Sequence, residues 1–221
     1  MNKTKVALVF DDGFAKSSLA TAEIFERHNL RAAFAVLAST EGFAPNYRCG
    51  DFGLWNELAA RGHIIQPHGY THANLKEMNH ADAIDQLQRC LDTFGQKLHN
   101  FDPRRAVYCF AYNQGTPPLC EWLLQRVGAV RIGGSGLLSR ADVESRIWHS
   151  QTHGPDDPAQ HLTELLEQAA RDEPTALLYC LHGLDGEAWG AIASGSLERV
   201  LQIVTSAAEL KYRPLSLGEW H

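Results

Sequence analysis

Val6-Ala7-Leu8-Val9-Phe10-Asp11-Asp12-Gly13 is the stretch that decides the fold. Five apolar residues run together and stop at two carboxylates and a glycine. A short, fully apolar run closed by a turn reads as a strand buried on both faces, the kind found in parallel sheets. Working outward, strand-like and helix-like segments alternate. Ser17 to Asn29 reads as a helix capped by Ser17 or Ser18, with Leu19, Ile24 and Phe25 on one side. Arg31 to Leu37 is a strand, Asp51 to Arg61 a helix closed by Gly62, and His63 to Gln66 a short strand. His80 to Leu98 is the longest helix, with Ile84, Leu87, Leu91 and Phe94 at helical spacing. Ala106 to Phe110 is a strand, Leu119 to Val127 a helix closed by Gly128, and Ala129 to Ile132 a strand. Pro158 to Arg171 is a helix, Thr175 to Leu181 a strand, Ser196 to Leu210 a helix and Tyr212 to Leu217 a final strand. About seven strand–helix units predict an α/β fold with mainly parallel strands. No linker or repeat divides residues 1–221, so a single domain is expected, and α/β barrels commonly reach this size.

Composition narrows the function. The 221 residues are 44% hydrophobic and 21% charged, which excludes a disordered, collagenous or coiled-coil chain. The formal charge of −6 gives no electrostatic footprint for nucleic acid or an anionic membrane. No apolar run approaches the roughly 18 residues of a membrane span. The five apolar residues after Met1-Asn2-Lys3-Thr4-Lys5 are too few for a signal-peptide core, so a cytoplasmic location is expected. Cys49, Cys90, Cys109, Cys120 and Cys180 are odd in number and lack a CxxC pair, and read as reduced, mostly buried thiols.

In parallel α/β folds, ligands bind at the carboxyl ends of the strands. Asp11-Asp12-Gly13 follows the first strand and His68-Gly69-Tyr70-Thr71-His72 the third. Tyr112-Asn113-Gln114-Gly115 follows the fourth, and His182-Gly183-Leu184-Asp185-Gly186 the penultimate one. Each piece has a bland reading. Asp-Asp-Gly is good turn chemistry, histidine pairs arise by chance among 11 histidines, and a lone strand-end histidine is usually structural. Together they are more specific. One aspartate and two histidines make three ligands for a divalent metal with an open position, and a spare carboxylate and His182 supply proton transfer.

These motifs resemble the polysaccharide deacetylase family, also called the NodB homology domain or carbohydrate esterase family 4. The family's Thr/Ser-Phe-Asp-Asp-Gly is similar to Val9-Phe10-Asp11-Asp12-Gly13, its His-x-x-Ser/Thr-His to His68–His72, and its Leu-x-x-His to the segment ending at His182. The resemblance runs from residue 5 to 218 and implies a distorted (β/α)7 barrel. It implies Asp12, His68 and His72 as ligands of one divalent metal, zinc first, with nickel, cobalt or manganese as other choices. It implies Asp11 as general base, His182 as the acid for the leaving amine, and a backbone N–H near Gln114 as oxyanion donor. The implied reaction is removal of N-acetyl groups from an amino-sugar polysaccharide or oligosaccharide.

The chain departs from the family pattern at two places. The third motif, often Arg-Pro-Pro-Tyr/Phe-Gly, reads Phe110-Ala111-Tyr112-Asn113-Gln114-Gly115, so Ala111 cannot fix the catalytic aspartate, and another group or none holds Asp11. The fourth motif, an aspartate near tryptophan, has no match beyond Trp148-His149. Tyr70, Tyr112 and Trp189 are cleft candidates, Trp189 as a sugar-stacking plane or a loop anchor, with core packing competing at Tyr112. His149, His153 and His161 form a loose candidate for a second metal site. Two other functions compete with deacetylation: hydrolysis of a non-sugar amide on the same fold, and a carbohydrate-binding domain with weak catalysis.

Overall fold

The computed structural model describes residues 5–153, 156–172, 176–207 and 209–210. Among these, nine strands alternate with seven α-helices. The strands are β1 (Lys5–Asp12), β2 (Ala33–Val36), β3 (Ile64–Pro67), β4 (Val107–Cys109), β5 (Ala129–Gly133), β6 (Leu137–Leu138), β7 (Ile147–Thr152), β8 (Ala176–Leu181) and β9 (Glu209–Leu210). Seven of them follow one another around the molecule in the order β3-β2-β1-β8-β7-β5-β4, and every neighbouring pair is parallel. They form the nearly closed barrel of the expected class. β6 pairs antiparallel with β8, and β9 runs parallel beside β1.

Alternation of side chains along each strand builds two cores. Ala7, Val9, Ala35, Cys109, Ala129 and Leu178 turn inward and pack with Trp148. Val6, Leu8, Phe10, Phe34 and Tyr179 turn outward and meet Phe25, Leu87 and Leu201 of the surrounding helices. The small inward residues leave room in the barrel for larger polar groups near its carboxyl end. The barrel's last gap, between β3 and β4, is bridged by a side chain. Gln66 on β3 accepts a 2.6 Å hydrogen bond from the buried Val107 N–H of β4.

The helices are α1 (Ala15–Arg27), α2 (Phe52–Ala60), α3 (His80–Lys97), α4 (Pro117–Leu124), α5 (Arg140–Ser145), α6 (Pro158–Asp172) and α7 (Ser194–Ala207). Asp51 caps α2 by accepting from the N–H groups of Gly53 and Leu54, and Asn79 caps α3 through Asp82. Two expectations need correction. α1 starts at Ala15, not at Ser17 or Ser18, and no side chain caps it. Ser17 is instead buried within the helix, where its hydroxyl binds Glu187 and accepts from the Leu184 N–H. The last helix ends at Ala207, and Glu209–Leu210 is strand, because it finds an open edge beside Lys5 and Val6. β7 and α5 were not foreseen. Ile147-Trp148 is followed by four polar residues in a row, His149 to Thr152, a run without strand-like alternation, and it becomes a barrel strand because β5 and β8 flank it. The expected strand at 212–217 lies outside the described residues.

Glu26 ties α1 to the start of β3. Arg61 Nε and Nη2 donate to its two oxygens at 3.0 and 2.8 Å, and His63 Nε2 lies at 3.1 Å. Arg61's hydrogen bonds, with His63 adding to them against the cost of burial, hold the Glu26 carboxyl at about 2 instead of 4.5. A carboxyl lowered on folding stabilises above its unfolded value and loses that contribution as pH falls through the folded value. Thermal midpoints are therefore expected to fall between pH 4.5 and about 2, and Glu26→Gln should flatten that part of the profile. At the barrel gap, Gln66→Leu would strand the buried Val107 N–H. Urea unfolding is expected to record a loss of about 1–3 kcal/mol.

Candidate active site

The first strand sets both carboxylates. Asp11 follows the inward alternation of Ala7 and Val9. Asp12 would then point outward, but its backbone takes a left-handed conformation, φ 75°, and Gly13 repeats it at φ 75°. That turn swings the second carboxylate back to the barrel mouth. Asp tolerates this region better than most residues, though at a cost in strain. Gly13 has no substitute here, since a Cβ would also stand 2.8 Å from the Trp55 ring.

The end of β3 supplies the imidazoles. His68 N–H donates to the Val36 carbonyl and extends the ladder by one residue. Gly69, at φ 118°, then turns the chain so that His72 returns to the same place. His68 Nδ1 lies 2.9 Å from the Cys109 carbonyl, which can only accept, so the ring proton sits on Nδ1. Nε2 is left to face Asp12 Oδ1 at 3.3 Å, and His72 Nε2 faces the same oxygen at 3.3 Å. Both Asp12 oxygens are buried without a hydrogen-bond donor. Burial alone would raise the Asp12 carboxyl, yet the two imidazoles hold it far below the carboxylate range. Burial would lower His68, and Asp11 and Asp12 outweigh it and raise it. One carboxylate oxygen and two imidazole nitrogens thus converge on one buried spot. This donor set fits a borderline-soft divalent ion, and the Cys109 contact is the outer-shell bond that such a ligand histidine normally makes.

Asp11 has its own partner. Arg131 on β5 reaches across the barrel interior and grips it bidentately, Nη1 to Oδ1 at 2.8 Å and Nη2 to Oδ2 at 2.6 Å. Asp11 is 4% and Arg131 1% exposed. Burial pushes the Asp11 carboxyl up, but Arg131 above all, with His68 and His182, brings it below its ordinary value. So Arg131, not a residue of the Phe110–Gly115 segment, answers the missing motif arginine. The signal was a single arginine inside the apolar strand Ala129-Val130-Arg131-Ile132, a charge that burial obliges to find a partner.

His182 leaves β8 at the same mouth. Burial lowers its pKa, more than Asp11 and Asp12 raise it. No carboxylate pairs with it within 4.0 Å among the described residues, so the fourth-motif aspartate has no counterpart there. Trp148 is buried inside the barrel, its indole N–H directed at the Val143 carbonyl.

One cavity of about 650 Å³ takes in Asp11, His68, His72 and His182. Tyr112 and Trp189 line it, 56% and 44% exposed, together with Glu41 and Phe43, which sequence reasoning missed. Tyr112 and Asn113 are consecutive left-handed residues, φ 55° and 57°. Asn113 secures the turn by donating to Thr152 Oγ1 at 2.9 Å, and Tyr112 lies 4.5 Å from His72, ring to ring. Two candidates fall elsewhere. Tyr70 packs against the outer core with the Arg89 guanidinium 3.9 Å above its ring. The Gln114 N–H donates to the Ala111 carbonyl, and its side chain accepts from Lys76, so the turn absorbs the oxyanion donor expected there. His153 and His161 stack at 4.6 Å, with His161 bonded to Tyr179, while His149 sits apart against the Gly133 carbonyl. They form no three-ligand group among the described residues. All five cysteines are free, and four are buried.

The sequence profile of the polysaccharide deacetylase family matches residues 1–119, more than half of the chain. The chain belongs to this family. A peptidoglycan-N-acetylglucosamine deacetylase of Bacillus cereus is 32% identical over 90 residues, covering 39% of this chain and 29% of the relative, so the match spans less than a third of that protein. Among solved structures, a peptidoglycan N-acetylglucosamine deacetylase bound to a naphthyl N-hydroxybenzamide superimposes with a TM-score of 0.63 at 19% identity, over 95% of this chain and 86% of that one. A pseudoenzyme of the CE4 family from Bacillus anthracis superimposes with a TM-score of 0.61 at 14% identity, over 95% and 63%. These likenesses establish the deacetylase fold. No helix among the described residues is long and apolar enough to cross a membrane.

The Asp11–Arg131 pair has a measurable signature. Arg131→Met leaves a buried carboxylate unpaired and is expected to cost about 3–5 kcal/mol in chemical denaturation. The double variant Arg131→Met with Asp11→Asn should recover a large part of that loss, because no isolated charge remains.

Proposed function

We propose that this chain is a metal-dependent hydrolase that removes N-acetyl groups from an amino-sugar polysaccharide or oligosaccharide, and that residues 1–221 form one catalytic domain. The observation carrying this reading is the convergence of Asp12, His68 and His72 next to the Arg131-held Asp11, with Asp11, His68, His72 and His182 lining one cavity and Asp12 buried just beneath it. Asp12, His68 and His72 are the residues that would hold a divalent ion, zinc first by ligand type. When bound, such an ion supplies Lewis acidity toward a carbonyl oxygen and makes water a better nucleophile at neutral pH.

The chain's own groups do the rest. Asp11 accepts a proton from the attacking water, and Arg131 keeps it ionised and in one orientation. His182 donates a proton to the departing nitrogen, so the amine leaves neutral. Tyr112 and Trp189 offer exposed aromatic faces to a sugar ring. The CE4 pseudoenzyme with the same fold makes the weakly catalytic binding domain the competing reading. Against it stands the presence here of base, acid and all three candidate ligands.

Elemental analysis after zinc loading and desalting is expected to find about one equivalent in the parent and little in His68→Ala. Asp11→Asn should keep the metal and lose turnover of chitooligosaccharides by about 10²–10⁴-fold. Asp12→Asn should lose both. Equal metal retention in the two aspartate variants would overturn the division of roles. Turnover of small amides with none of chitooligosaccharides would favour the non-sugar reading. Unchanged sugar binding with and without chelator, and no turnover, would favour the binding domain.

A further inference from the structure

β8 brings a second side chain to the site. Cys180 stands two residues before His182, fully buried, and takes no part in the proposed chemistry. Its Sγ, a carboxylate oxygen of Asp11 and a ring nitrogen of His182 all lie within 4.8 Å of one another. Ligand atoms sharing one zinc-like ion stand about 3–4 Å apart, as metal–ligand lengths of about 2.0–2.3 Å require. Small side-chain rotations therefore close this triad around an ion. It shares no residue with the Asp12–His68–His72 group, and it contains sulfur where that group has only nitrogen and oxygen.

We propose that Asp11, Cys180 and His182 form a second cation site, of lower affinity and selective for thiophilic ions, whose filling inhibits the enzyme. The inhibition clause rests on the roles proposed for Asp11 and His182, whereas the binding clause rests on the triad alone.

Three features set the order of filling. Arg131 already holds both Asp11 oxygens and places a positive charge against any incoming cation. The thiol must release its proton to solvent when it ligates. The Asp12 oxygens have neither obstacle, being unpartnered. The first equivalent therefore goes to Asp12, His68 and His72. Asp11 and His182 line the cavity, and the fully buried Sγ of Cys180 lies within 4.8 Å of both, so an ion approaches from their side. Sulfur sets the selectivity: cadmium and excess zinc reach the triad, and manganese, which prefers oxygen, stays at the first site. An ion on the triad takes the Asp11 lone pair that would accept the water proton and the His182 nitrogen that would donate to the amine, so it removes base and acid together.

The test is a titration of the metal-free full chain with cadmium, read by the thiolate-to-cadmium charge-transfer absorbance. The first equivalent should be silent and the second should bring the band. The band should vanish in Cys180→Ala and in the near-isosteric Cys180→Ser, either of which suffices if the other fails to fold. Excess cadmium without a band overturns the proposal. So does a band that survives removal of Cys180, since it would then come from Cys49, Cys90, Cys109 or Cys120. In parallel, zinc beyond one equivalent should lower turnover severalfold in the parent and leave Cys180→Ala unaffected, and excess manganese should inhibit neither. A band without zinc inhibition overturns the inhibition clause. No turnover at one equivalent of zinc or manganese refutes the deacetylase reading, and the cadmium band then still decides whether the site exists.

Discussion

The bidentate pair between Asp11 and Arg131 is the constraint on which the barrel and its mouth depend. Two charges buried this deeply are tolerable only when each satisfies the other. They reach across the barrel interior from β1 and β5, strands that are not neighbours in the sheet. The space they need exists because the inward positions around them are small: Ala7, Ala35, Cys109 and Ala129. The pair is neutral overall. That leaves Asp12 to be met by the two imidazoles of His68 and His72.

A strand can deliver successive side chains only to opposite faces, so Asp11 and Asp12 cannot both reach the mouth by regular geometry. The left-handed turn at Asp12 and Gly13 resolves this, and it makes two adjacent carboxylates serve different partners. The same device recurs at Tyr112 and Asn113 on the other side of the cavity. Strained backbone of this kind persists where surrounding structure overdetermines it. Here Trp55 packs beneath Gly13, and the Asn113 side chain is bonded to Thr152. Both turns are thus held by contacts from outside their own segments. The cavity's aromatic lining, Phe43, Tyr112 and Trp189, comes from three different loops.

The residue that holds Asp11 does not come from the segment after β4. With Ala111 in the third motif, the segment after β4 no longer reaches Asp11. The arginine comes from the next strand instead, and β5 places it because its register beside β4 and β7 turns residue 131 inward. The segment after β4 is thereby released to form the tight Tyr112–Asn113 turn. In doing so it spends the Gln114 N–H on the Ala111 carbonyl.

By itself the sequence determined what local pattern can determine. The apolar run into Asp11-Asp12-Gly13, the alternation of strands and helices and the His68–His72 spacing were enough for a mainly parallel α/β fold and for an inventory of one aspartate and two histidines at the strand ends, and the resemblance of those motifs to a known family added the barrel class and the choice of Asp12, because each is written within a few consecutive residues. The rest is written between distant residues. β7 is a strand only because β5 and β8 accept its polar sequence between them. Arg131 meets Asp11 across 120 positions of chain. Cys180 stands beside Asp11 only because β8 lies against β1. Tyr70 and Gln114 sat in the right motifs and still turned away, since packing against Arg89 and a backbone bond to Ala111 claimed them first. Tertiary structure decided these cases for one physical reason: a buried polar group must find its partner wherever the fold brings one within reach, and sequence distance does not enter that energy.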